Sequence, residues 1–178
     1  MTTSNTNRPN PTLALKPFQR VALWMAAVLA TFLLVRQLQV MLAYDWQAIG
    51  GGMMLAHSGV ALVASLLTAW MLMAPKGTPV HRWMGRVWSV MLIFIAVSSF
   101  WLRDGYGALM GLPFGIGPIH ILSVITIWAV SSGIWAIRQG QMTRHVSNMV
   151  TVCWALLIAG AFTLLPGRLM QQLAFFAL

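Results

Sequence analysis

Long apolar runs without charge, separated by short polar stretches, dominate the pattern along this chain. The first is uncharged from Val21 to Val35 and continues past Arg36 and Gln37, in mixed form, to Ala43. The others occupy approximately residues 53–74, 80–102, 119–137 and 146–165. Each is about 20 residues long, which is what roughly 30 Å of hydrocarbon requires at about 1.5 Å of helical rise per residue. Backbone groups in lipid must be satisfied within their own segment, and none of the runs alternates as a barrel strand does. The pattern therefore predicts five transmembrane helices, at about 21–43, 53–74, 80–102, 119–137 and 146–165. Pro79 and Pro118 fall near predicted helix starts, where proline is tolerated.

The pattern also repeats. One stretch, Gly52 to Arg103, carries His57 near the start of an apolar run, the turn Ala74-Pro75-Lys76-Gly77-Thr78-Pro79, and His81 near the start of the next run. A second, Gly117 to Arg168, carries His120, a turn at Arg138-Gln139-Gly140-Gln141, and His145 in the same places. The spacings are 24 residues (81 − 57) and 25 residues (145 − 120), and the chain has 4 histidines in all. The expected fold is an all-α integral membrane protein, its last four helices forming a bundle of two similar helical hairpins. Residues 18–168 make the five-helix domain. Residues 1–17, polar with three prolines, read as a flexible tail, and 169–178 as an apolar segment too short to span. The basic residues before Val21 resemble the start of a signal peptide, but the residues that follow Val35 favour an uncleaved first span.

Composition agrees with lipid as the main solvent: 59% of the 178 residues are hydrophobic and 7% charged. A net charge of +9 raises the question of nucleic acid. The basic residues flank apolar runs and form no soluble cluster, so nucleic acid is excluded as a partner. Across five spans, Arg8, Lys16, Arg20, Lys76, Arg82, Arg86, Arg138 and Arg144 share the N-terminal side, against Arg36, Arg103 and Arg168 on the other. This bias puts the N-terminus in the cytoplasm and the C-terminus outside, in a bacterial inner membrane. Trp24, Trp46, Trp70, Trp83, Trp101 and Trp135 fall near span ends, as interfacial anchors do. The glycine-rich connection from Asp104 to Gly117 reads as a plain loop. Cys153 stands alone in an apolar run and forms no internal disulfide.

In this topology His57 and His120 enter from one face of the membrane and His81 and His145 from the other. That gives two pairs of metal-ligand candidates, His57 with His120 and His81 with His145. Two facing imidazoles suit a six-coordinate haem iron for electron transfer, and facing helices of a bundle are where such sites are built. Small neighbours leave room beside His57 (Ala61, Ala64, Thr68) and His81 (Gly85), less so beside His120 and His145. The two acids, Asp45 and Asp104, lie between the runs. Arg36, Arg82, Arg86, Arg103 and Arg144 thus lack carboxylates within the spans, and haem propionates are candidate partners, with lipid phosphates the alternative. The same lack argues against a proton-coupled carrier built on Asp or Glu. No Cys-x-x-Cys-His occurs, so the expected cofactor is two b-type haems. Copper is the rival metal, since 13 methionines offer soft ligands. The function expected is transmembrane electron transfer between a quinol or other small reductant and an acceptor across the membrane. The alternatives are a non-catalytic accessory or assembly subunit, or a small-molecule carrier. Candidate partners are a quinone or redox protein and a second copy of the chain.

Two resemblances bear on this. His81-Arg82-Trp83-Met84-Gly85-Arg86-Val87, with His57 before it and Arg138-Gln139-Gly140-Gln141-Met142-Thr143-Arg144-His145 after it, resembles an uncharacterised bacterial family of predicted multi-pass membrane proteins over about residues 50–165. The order of histidines is similar to that of the di-haem cytochromes b of the ascorbate and ferric reductase type. That resemblance implies haem sharing by the second and fourth helices and by the third and fifth, which are the two pairs above. The chain departs from it in having no sixth span.

Overall fold

The structure, a computed structural model, describes residues 17–43, 51–102 and 117–163. Among these it contains five helices and no strand: α1 Pro17–Ala43, α2 Gly51–Met73, α3 Pro79–Ser98, α4 Pro118–Arg138 and α5 Met142–Thr163. Helices α2 to α5 are each long and apolar enough to cross a membrane. The expected tail 1–17 falls, but for Pro17, outside the described residues. So do the 104–117 loop except Gly117, Arg103 and the segment 169–178.

Local chemistry sets the helix ends. The Thr78 hydroxyl accepts the His81 backbone N–H at 3.1 Å, and Pro79 takes the first helical position, where its missing N–H is no loss. At the other end α3 stops at Ser98, short of the expected Leu102. There the Ser98 and Ser99 hydroxyls donate to the Ile95 and Ala96 carbonyls at 3.2 and 2.7 Å, and residues 99–102 continue as turns. Such side-chain bonds compete with the helical ladder. The two tight connections hold Gly77 at φ 77° and Gly140 at φ 72°, a region other residues rarely enter. Helix α5 starts at Met142, directly after the second of these turns and ahead of the expected residue 146.

Neighbours in sequence are neighbours in space. Helix α1 packs on α2, α2 on α3, α3 on α4 and α4 on α5, the last most extensively, and α5 touches α2 lightly. Helices α2 to α5 thus form a ring in which α2 lies diagonal to α4, and α3 to α5. Ala64, Trp88, Leu92, Ala129, Val130, Val152 and Cys153 fill its centre. The Trp88 indole N–H donates to the Thr68 hydroxyl at 2.7 Å, and that hydroxyl donates to the Ala64 carbonyl. The outer surface is apolar: Val90, Met25, Ile121 and many other large side chains are exposed. A surface of this kind suits lipid, not water. Trp24, Trp70, Trp83, Trp101 and Trp135 are exposed near helix ends, as the anchor reading expects.

Candidate functional site

His81, His120 and His145 lie in the first turns of their helices and His57 in the second turn of α2, and the bonds they make differ. His57 Nδ1 is 2.7 Å from the Ser98 hydroxyl. That hydroxyl donates to Ile95, so it accepts from His57 Nδ1–H, which leaves the lone pair on Nε2. His145 Nδ1 lies 2.9 Å from the Gly133 carbonyl on α4. A carbonyl only accepts, so Nδ1 carries the proton and Nε2 again keeps its lone pair. A backbone carbonyl on the far nitrogen is how metal-binding imidazoles are commonly oriented. His81 Nδ1 is buried and has no hydrogen-bond partner. An orphaned polar atom inside a bundle is costly unless something else binds there.

His120 is different. Its Nδ1 accepts the Gly117 N–H at 3.0 Å, tying down the start of α4, and its Nε2–H donates to the Ser99 carbonyl at 3.2 Å. The Phe100 ring lies 5.4 Å from it, and the Ser99 and Ser123 hydroxyls bond each other at 2.7 Å alongside. Both ring nitrogens are therefore committed to protein groups. Ligation through Nε2 requires release of Ser99, whose carbonyl keeps a second donor in the Leu102 N–H at 3.1 Å.

The geometry brings His57 and His120 to adjacent residues, Ser98 and Ser99, at the end of α3, so these two are level. At the opposite end His81 is close enough to interact electrostatically with His145 and, separately, with Lys76. The Lys76 ammonium donates to the Met71 carbonyl at the end of α2. Burial pulls its pKa below the usual lysine value. No carboxylate exists among the described residues to balance these three groups.

The room expected beside the histidines is partly filled. Trp88 lies against Ala64 and Thr68, the small residues about two and three turns beyond His57. A Cβ on Gly85 would touch the Met71 methyl at 3.4 Å. Met71 and Met149, the latter one turn beyond His145, are unbranched side chains that re-pack easily. The His81–His145 end therefore fits a haem better than the His57–His120 end, where Trp88 and the double engagement of His120 must be accommodated. Among the described residues no group of three or more His, Cys, Asp or Glu converges on a metal position.

Arg82, Arg86 and Arg144 are exposed, and the Arg144 guanidinium lies 5.5 Å from the centre of the Trp135 ring. Arg36 donates to the Gln39 side chain at 3.2 Å along α1. Sequence reasoning missed Lys76, Ser98, Ser99 and Gly133. One signal was present: Pro79-Val80-His81 and Pro118-Ile119-His120 both place histidine at the third helical position, from which the His120 ring turns back to Gly117.

The family described as "Predicted membrane protein (DUF2306)" matches residues 54–176. No curated protein and no solved structure matches the chain.

Proposed function

The chain belongs to this DUF2306 family of predicted membrane proteins, and from that premise we propose that it is a cytochrome b-type electron carrier of a bacterial inner membrane. All five helices cross the bilayer in this proposal, and α2–α3 and α4–α5 act as two similar hairpins. His81 and His145 hold one b-type haem near the cytoplasmic face, and His57 and His120 a second near the outer face. The observation that carries the reading is the His145 Nδ1–H bond to the Gly133 carbonyl at 2.9 Å, which fixes the ring and leaves Nε2 basic. The partnerless Nδ1 of His81 beside it gives independent support. Bound there, a haem supplies one-electron chemistry. The chain's own residues orient the imidazoles, exclude water with Trp88, Leu92 and Val152, and set the local charge through Lys76. A quinol or other small reductant is the proposed donor, with an acceptor across the membrane; a second copy of the chain is a further possible partner.

The test is a reduced-minus-oxidised absorbance spectrum of the purified protein made with ample haem. Low-spin b-type bands support the proposal, and their absence rejects it. The second reading, an accessory subunit with structural histidines, draws on His120, whose two nitrogens both serve the backbone. Copper is the rival metal, drawing on Met71, Met149 and buried Cys153.

Sidedness has its own test. The bias of the basic residues supports a cytoplasmic N-terminus and, with five spans, an outer C-terminus. A C-terminal alkaline phosphatase fusion, active only outside, is expected to be active. A C-terminal fluorescent fusion that matures only in the cytoplasm is expected to stay dark, and a bright one contradicts the topology.

A further inference from the structure

We propose that Lys76, and not the neighbouring arginines, is the cation that holds the carboxylate of the group bound between His81 and His145, which on the reading above is a haem propionate.

The inference rests on where the side chain goes. Lys76 lies on a tight turn between α2 and α3, between Pro75 and a left-handed Gly77. Nothing in that turn prevents a lysine from extending into water, as lysines at helix ends usually do. Here the chain folds inward until the ammonium meets the Met71 carbonyl, and the residue is half-buried. A helix-end carbonyl is a common lysine partner. It uses one of three ammonium donors, however, and leaves two with no protein acceptor among the described residues. The ammonium is in the electrostatic neighbourhood of His81, whose Nδ1 is buried and partnerless, and the side chain of Met71, whose carbonyl it meets, packs against Gly85, one turn beyond His81 on α3.

Charge balance points the same way. The described residues contain no Asp or Glu, so a cation drawn into this end of the bundle has no resident counter-ion. An anionic group bound at the histidine pair supplies one. Arg82, Arg86 and Arg144 are exposed, which suits lipid phosphate at the membrane surface. A carboxylate on an ammonium forms a charge-assisted hydrogen bond, roughly twice as strong as a neutral one.

The experiment compares haem with haem whose propionates are methyl esters, titrated into the full-length apoprotein. The readout is the b-type signal that the His81→Ala variant loses. Wild type is expected to bind the ester at least about tenfold more weakly than haem, because one charge-assisted bond of about 1.5–3 kcal/mol is lost. Lys76→Gln is expected to bind haem as weakly as wild type binds the ester and to discriminate little between them. Lys76→Arg restores discrimination, and Arg86→Gln behaves as wild type. The midpoint potential of that haem is expected to fall in Lys76→Gln, since a positive charge favouring the reduced state is removed. Equal binding of haem and ester by wild type overturns the assignment and needs no variant to fold. A loss of discrimination in Arg86→Gln but not in Lys76→Gln overturns it too. A wild-type protein that binds no haem removes the underlying reading, and this inference with it.

Discussion

Protein carrying both His120→Ala and His145→Ala is expected to retain no low-spin haem, while each single variant keeps one. The argument is geometric. Short connections fold α3 back on α2 and α5 back on α4, so histidines near the starts of α2 and α4 are at one end and those near the starts of α3 and α5 at the other. A helix of about 20 residues is about 30 Å long. Imidazoles at opposite ends therefore cannot share an iron whose metal–nitrogen bonds are about 2 Å. His57 and His120 both reach the end of α3, at Ser98 and Ser99. At the other end His81 interacts electrostatically with both His145 and Lys76. Each single variant should thus remove the haem at its own end, and adding the partner's substitution should cost little more. Haem-to-protein ratio and low-spin absorbance bands are the measurement. A His120→Ala protein that keeps both haems shows the pairing to be wrong. Thermal stability must be followed in parallel, because His120 also ties the Gly117 N–H and the Ser99 carbonyl. Net losses of about 1 kcal/mol are usual for such bonds.

Gly133→Leu is expected to abolish assembly of the helical core. Gly133 is where α4 comes closest to α5. Even a Cβ there would collide with the end of the Met149 side chain and sit 3.2 Å from Asn148 Cβ. Ala129 and Ala136, one turn to either side, are fully buried. Small residues at this spacing let two membrane helices approach closely. The approach permits two polar ties, His145 to the Gly133 carbonyl at 2.9 Å and Asn148 Nδ2 to the Ser132 hydroxyl at 3.0 Å. Overpacking costs typically 1–3 kcal/mol, and interhelical bonds in membranes about 0.6 kcal/mol each. A four-carbon side chain that separates the helices loses both, roughly 3 kcal/mol or more in sum. Little detergent-stable protein should then be recovered by size exclusion. Gly133→Ala should be much milder, since the Met149 tip can swing away and Asn148 need give only a few tenths of an ångström. A Gly133→Leu protein as stable as wild type would place the helix contact elsewhere.

The helices were legible because membrane thickness fixes a run length that composition alone displays. Their ends were less so. Helix α3 stops at Ser98 because two adjacent hydroxyls turn back on the ladder, and a window of hydropathy reads serines only as mildly polar. That each histidine falls near the start of its helix was legible, although His57 is the seventh residue of α2 and His120 the third of α4. Each ring's partner was not. His120 meets a carbonyl 21 residues earlier and His145 one 12 residues earlier. Such choices depend on how helices rotate against each other, which a weakly amphipathic, all-apolar helix does not encode in its periodicity. The half-burial of Lys76 was not legible either, because it stands in a turn that looks solvated in one dimension. Its inward path depends on the left-handed Gly77 and on the open carbonyl at the end of α2.

Trp88 has an optical consequence. It is 3% exposed, while Trp24, Trp70, Trp83, Trp101, Trp128, Trp135 and Trp154 are between 38% and 69% exposed. In vesicles of brominated lipid, those seven indoles touch the quencher and Trp88 does not. Among the eight described tryptophans, the fluorescence that survives is then dominated by a single emitter, blue-shifted by its dry surroundings and hydrogen-bonded to Thr68. Any coloured group entering the ring of helices would dim that emitter by energy transfer. The residual signal is therefore a gauge, present in the unmodified chain, of what occupies the interior.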